Sequence, residues 1–238
     1  MTEELNTQAT SDVIENLQEI RALNKNRIKT YALLARIFRK EVDQTFIDEL
    51  RKMKFPVYSG NKDLDEGNYR FARFLSNIWP NSIVDLAVEY NHVFIGGNTD
   101  SYSAAYPYES VYTSEWRLLM QEARDEVLHI YHANNLGRAD NFKEYEDHIC
   151  VELEFVQVLA ERADRALLNS DEDEAFELFT KQNEFLHEHL LNWVGMFTAD
   201  VRKFAKNDLY KGAAAFLDGF LETDREFLND LTGYEEPY

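Results

Sequence analysis

The residues best suited to chemistry are Glu144-Tyr145-Glu146-Asp147-His148-Ile149-Cys150-Val151-Glu152-Leu153-Glu154-Phe155. They set carboxylates and an imidazole at the expected start of a long amphipathic helix, with Asp147 and His148 in or near its first turn. Such a cluster can hold a guanidinium, because Asp and Glu pair bidentately with an arginine that stays charged at any pH. It can hold a metal. It can also be an acidic first turn favoured by the helix macrodipole, needing no ligand. Residue types alone leave the three open. A second group, Pro107-Tyr108-Glu109-Ser110-Val111-Tyr112, closes a stretch from Gly96 to Thr113 without helical period. Its tyrosines (Tyr102, Tyr106, Tyr108, Tyr112) predict an ordered, packed loop. There Glu109 either caps a backbone amide or charges the wall of a groove suited to a peptide with a cationic end and an apolar stretch.

Other chemistries find less support. Glu126-x-x-His129 and Glu184-x-x-His187 have the spacing of a helical di-iron or di-manganese site. His129, however, shares its stripe with Glu122, Asp125 and Glu126, and His187 lies beside Glu184 and Glu188, about 100° from Leu186 on the helix wheel. Both belong to solvated faces. There is no Gly-x-Ser-x-Gly, no phosphate-cradling glycine motif, and no base for Cys150 beyond its neighbour His148. The expectation is a protein that is not an enzyme, with no catalytic residue, cofactor or metal. A helical metal-binding protein of di-iron type and a purely structural adaptor are the alternatives.

The balance of charge narrows the partners. Against 25 basic residues stand 44 acidic ones, net −19. Nucleic acid and anionic membranes need the opposite sign. Cationic peptides would be drawn in, although acidity also serves simply to keep a protein dissolved. The single cysteine permits no internal disulfide, the first residues lack a signal-peptide pattern, and no run approaches the ~20 apolar residues of a membrane span. A cytoplasmic protein without stable membrane insertion is expected, as a monomer or homodimer.

The elements that must position these residues are helical. With 16 Phe, 13 Tyr and 45% hydrophobic residues there is ample core material, and 4 Pro and 9 Gly are too few for the turns of a barrel or sandwich. Residues 1–11 read as a polar leader and 12–238 as one all-α domain of roughly eight to ten helices. Asp12 to Lys40 carries a stripe of Ile28, Tyr31, Leu34, Ala35 and Phe38. Shorter helices follow around Phe46–Met53, up to Trp79 before Pro80, and from Ser82 to Gly96-Gly97. Ser114 is expected to cap a helix to about Asn135, and a helix opening near Asn141 stacks Ile149, Leu153, Val156, Ala160 and Ala163. Two more carry Phe179 to Phe197, after a cap at Asp171, and Tyr210 to Phe227, from about Asp208.

Blocks along this order resemble the TorD/DmsD/NarJ family of cytoplasmic maturation chaperones for molybdenum-containing oxidoreductases. They are Arg27-x-x-x-Tyr31-x-Leu33-Leu34-Ala35-x-x-Phe38, Glu89-Tyr90-x-x-Val93-Phe94-x-Gly96, Pro107-x-Glu109-Ser110-Val111-Tyr112, Glu144-x-Glu146-Asp147-His148-Ile149, and His189-Leu190-x-x-Trp193-x-x-x-Phe197. Tyr145 stands where the family often has proline, which loosens the placing of Asp147. The resemblance implies a TorD-like helical fold. It also implies that Asp147 and His148, with Glu144 and the loop residues Pro107, Glu109, Ser110 and Tyr112, help bind the twin-arginine signal peptide of a molybdopterin oxidoreductase precursor. On that view carboxylates such as Asp147 and Glu144 take the arginines and an apolar groove holds the rest. A NarJ-type member would instead act on the enzyme body.

Overall fold

The computed structural model describes residues 2–96, 104–137 and 142–234, with side chains from residue 16 onward. Gly97, Tyr102 and Asn141, used above as markers, lie outside the described residues. The fold is all-α: α1 (Thr2–Arg39), α2 (Gln44–Leu50), α3 (Lys62–Ser76), α4 (Ser82–Tyr90), α5 (Glu109–Thr113), α6 (Glu122–Ala133), α7 (Ile149–Leu168), α8 (Glu172–Phe185), α9 (Leu191–Phe204) and α10 (Asp208–Thr232). Helix α4 continues into a π turn, Asn91–Ile95, and a second π turn, Leu186–Leu190, joins α8 to α9. One isolated antiparallel bridge pairs Tyr108 with His148.

Helical periodicity explains the core. In the second half of α1, Asn24, Arg27, Tyr31, Leu34, Ala35 and Phe38 recur at three- and four-residue steps, and all are buried. Helix α7 buries Ile149, Leu153, Val156, Ala160 and Ala163, and packs between α1 and α8. Helix α10 lies against α3, α8 and α9. Its contact with α3 is backbone-close: a Cβ on Gly67 would stand 2.8 Å from Phe216 Cα, and one on Gly219 would stand 2.5 Å from the Leu64 nitrogen.

One polar knot locks the layers. Arg27 donates through Nε and Nη2 to the carboxylate of Asp224, and Tyr31 Oη–H donates to the same group at 2.7 Å. Arg27 also reaches Asn24 Oδ1, and Asn24 Nδ2 donates to the Ala160 carbonyl at 2.8 Å, so α1, α7 and α10 meet there. Burial disfavours the guanidinium's charge, but Asp224 more than restores it, and the arginine's pKa ends above its ordinary value.

Four expected boundaries differ, the first being that the helix expected to open near Asn141 begins only at Ile149, after the extended His148 cap. Helix α1 takes in residues 2–11 as well as the expected segment. The Gly96–Thr113 stretch is not wholly irregular, because Glu109–Thr113 forms the short helix α5. The helix expected from Ser114 begins only at Glu122: Arg117 and Met120 hold φ of 51° and 58°, outside any right-handed helix.

Candidate functional site

Helix α7 starts at Ile149, so Asp147 and His148 do not lie within its first turn. His148 is the N-cap, its Nδ1 accepting the Cys150 N–H at 3.1 Å. The bland alternative of an acidic, solvated first turn also fails, since the one acidic residue there, Glu152, is fully buried. What leads into α7 is a short pairing of two chain segments. Ile149 N–H donates to the Pro107 carbonyl at 2.9 Å, and Glu109 N–H donates to the Asp147 carbonyl at 3.0 Å.

This pairing sets the Asp147 carboxylate over the start of α5. Oδ2 accepts from the Ser110 backbone N–H at 3.0 Å and from the Ser110 hydroxyl. Oδ1 is buried without a hydrogen-bond partner, and the residue is 0% exposed. Burial pushes the carboxyl's pKa up, and the Ser110 bonds oppose that rise. A guanidinium cannot reach this carboxylate without opening the structure. Ser110 Oγ also accepts the Gln121 N–H at 3.2 Å, so Asp147 indirectly anchors the chain as far as α6.

Beneath it lies a further polar layer. Glu109, 3% exposed, meets His189 Nδ1 at 3.1 Å rather than capping a backbone amide. Trp193 Nε1–H donates to Glu152 Oε2 at 3.0 Å. Burial first, then the nearby Glu109 and Asp147 carboxylates, push the Glu152 carboxyl well above its ordinary range. Tyr112 stacks on Trp193 with ring centres 5.6 Å apart.

The remaining candidates face a cleft of about 540 Å³ bounded by the end of α1, by α4 with its π turn, and by the Pro107–Tyr108 and Glu144–His148 segments. Its apolar wall includes Ile83, Ala87, Phe94, Ile95 and Pro107. Its polar edge holds Arg39, Lys40, Glu41, Asp43 and Glu144. Arg39 is tied to Glu154, and Lys40 stands 3.6 Å from Asp43. Tyr108 donates its hydroxyl to Glu144, and burial with that carboxylate pushes the phenol far above its usual value, keeping it a donor. The His148 ring meets Tyr108 edge-on at 5.0 Å, and burial lowers its pKa to about 3, so the ring is neutral. With Nδ1 accepting, its proton sits on Nε2. Beyond the cleft rim, α4 leaves Val84 and Val88 more than half exposed.

The seven candidates thus separate into two layers. Pro107, Glu144 and His148 line the cleft, while Asp147, Ser110 and Glu109 hold its walls from inside, with Tyr112 packed behind them. The sequence reading named Tyr108 only as a loop aromatic and Glu152 only within the acidic stretch, and it missed the Tyr108–Glu144 bond, the Glu109–His189 contact and the burial of Glu152. Glu152 carried a signal, since it falls three residues after Ile149 and four before Val156, on the buried stripe of α7. Among the described residues no group of three or more His, Cys, Asp or Glu side chains converges as a metal site. Glu126 and His129 are exposed, and His187 stacks on Tyr234. No described helix is long and apolar enough to cross a membrane.

A family model described as nitrate reductase delta subunit matches residues 61–199, from α3 into α9. The chaperone protein TorD of Vibrio cholerae is 26% identical over 221 residues, covering 90% of this chain and 97% of the relative. That of Vibrio parahaemolyticus is 25% identical over 218 residues, covering 89% and 99%. That of a Psychrobacter species is 23% identical over 232 residues, covering 93% and 100%. With more than half its length matched by the family model, the chain belongs to the nitrate reductase delta subunit family, the TorD-type chaperones of molybdoenzyme maturation.

Proposed function

We propose that this chaperone binds the twin-arginine signal peptide of a molybdopterin oxidoreductase precursor in the cleft between α1, α4 and the Pro107–Tyr108 segment, and holds the precursor in the cytoplasm until its cofactor is inserted. The observation that carries the reading is the cleft's composition. An apolar wall of Ile83, Ala87, Phe94, Ile95 and Pro107 runs out to Val84 and Val88, and carboxylates edge it at Glu41, Asp43 and Glu144. Such a leader has two arginines followed by an apolar segment. The net charge of −19 speeds its encounter, and salt slows it. Glu144 offers charge to an arginine, while the α4 wall takes the apolar residues.

Asp147, Ser110 and Glu109 contribute by positioning. They fix the segments that carry Pro107, Tyr108 and His148 without touching the peptide. Affinity need only be moderate, because ordering the peptide opposes binding by about 2–5 kcal/mol and release must follow. The test is calorimetric titration of a twin-arginine leader peptide into wild type and into Glu144→Gln/Val88→Ser. Both side chains are at least partly exposed, so the fold is retained. Weakening by more than tenfold is expected, with a twin-lysine peptide bound less well than the twin-arginine one. Equal affinity for wild type and variant would remove the leader from this cleft.

A further inference from the structure

A second surface has the marks of a polypeptide contact and shares no lining residue with the leader cleft. Between α5 and α6, four large apolar side chains stand out within five residues: Trp116 is 74% exposed, Leu118 56%, Leu119 41% and Met120 53%. An isolated exposed leucine is ordinary, but a cluster of this size on a polar protein marks a contact surface. The segment is also held in place. Arg117 N–H donates to the Ser114 carbonyl, Leu118 N–H to Ser114 Oγ, and Gln121 N–H to the same Ser110 hydroxyl that Asp147 fixes.

The chain then turns directly into an acidic groove. Glu122, Asp125, Glu126 and His129 project from one face of α6 opposite Glu188, around a space of about 780 Å³. No lysine or arginine is among the described residues that line it. Arg124, on the same helix, pairs with Glu146 and also with Asp125, one of these four carboxylates. Apolar residues beside four carboxylates match one kind of occupant, a segment with an apolar face and a basic face. An anionic membrane has the wrong charge, and a second copy of this chain would bring another net −19 against the same carboxylates.

We propose that the Trp116–Met120 segment and the acidic face of α6 form a second docking surface, which takes a basic amphipathic segment of a partner polypeptide other than the leader. The inference rests on reading the protein as a client-binding chaperone and adds a separate contact to it. Trp116 supplies the probe, since of the 3 tryptophans Trp193 is fully buried and Trp79, 46% exposed, can be changed to Phe at the loss of one exposed hydrogen bond to Asp85. In a Trp79→Phe background, an 18-residue synthetic helix with leucines on one face and lysines on the other should shift Trp116 emission to the blue. Its affinity should fall at least tenfold in Leu118→Ser/Leu119→Ser and in Glu122→Gln/Asp125→Asn/Glu126→Gln, with unchanged circular dichroism. The same helix with glutamates for lysines should not bind. Twin-arginine leader binding, measured by calorimetry, should be untouched by these variants. Equal binding of the lysine and glutamate helices, or no loss in either variant, overturns the proposal. Loss of leader binding in the variants overturns it too, by making this the leader's own surface. A leader that fails to bind even wild type, while the lysine helix still docks on Trp116, would refute the cleft assignment and leave this one standing.

Discussion

Replacing Asp147 by Ala should destabilise the protein by about 2–4 kcal/mol. The carboxylate accepts two bonds from Ser110, through its backbone N–H and its hydroxyl, in a position that is 0% exposed. Hydrogen bonds to a charged group contribute roughly 1.5–3 kcal/mol each, and leaving their buried donors unpaired costs about as much. Two such bonds at the low end come to about 3 kcal/mol, and the low end applies because burial already works against the Asp147 charge. For a chain of this size each kcal/mol moves the melting temperature by roughly 2–4 °C, so a fall of about 4–16 °C is expected. Asp147→Asn should cost less, about 1–2 kcal/mol, because its amide oxygen can take both Ser110 donors while its N–H groups lie buried where the Asp147 oxygen has no partner. The assay is thermal and urea unfolding followed by circular dichroism, with leader titration on each folded variant. If Asn and Ala leave stability alone yet both abolish leader binding, the carboxylate touches the peptide directly and the positioning role is refuted.

Two further outcomes follow from the same packing. His148 is buried neutral with its pKa lowered to about 3 against about 6.5 when unfolded, so the unfolded chain takes the proton first and stability falls as pH drops below about 6.5. His148→Asn, which keeps an acceptor for Cys150 N–H, should gain on wild type by up to roughly 5 kcal/mol between pH 6.5 and pH 3; parallel stability curves would contradict this. The raised carboxyls of Asp147 and Glu152 act in the opposite sense, so the variant-minus-wild-type difference is the quantity to read. Gly219→Ala should cost a net of about 1–2 kcal/mol, since its Cβ meets the Leu64 backbone at 2.5 Å and overpacking outweighs the gain in helix propensity. Gly195→Ala, where nothing lies within 4 Å, should be neutral or stabilising, and equal effects at the two glycines would refute the close α3–α10 approach.

Legibility in the sequence followed the strength of the local signal. The stripes of α1 and α7 recur over several turns, and they name residues that are in fact buried, among them Tyr31, Phe38, Ile149 and Ala163. Boundaries set by single residues read less well. Ser114 looks like a helix cap, yet two left-handed residues at Arg117 and Met120 delay α6 to Glu122. Five residues of α5 are too short to show a period, and their place is set by pairing with Asp147 and His148, which lie far away in sequence. The candidate site was legible as a set of residues but not as layers. A carboxylate before a helix reads the same whether it meets solvent or a serine thirty-odd positions upstream, and only the packed chain tells Glu144 from Asp147. Asp224, the partner of Arg27, was hidden for the same reason.

The central claim is that the α1–α4 cleft receives the leader, and amide hydrogen exchange with and without a twin-arginine leader peptide tests it most directly. The account predicts slowed exchange in the π turn Asn91–Ile95, at Tyr108 and at Glu144–His148, with little change at Trp116–Ile130. Protection confined to Trp116–Ile130, or no protection anywhere at saturating peptide, would contradict it.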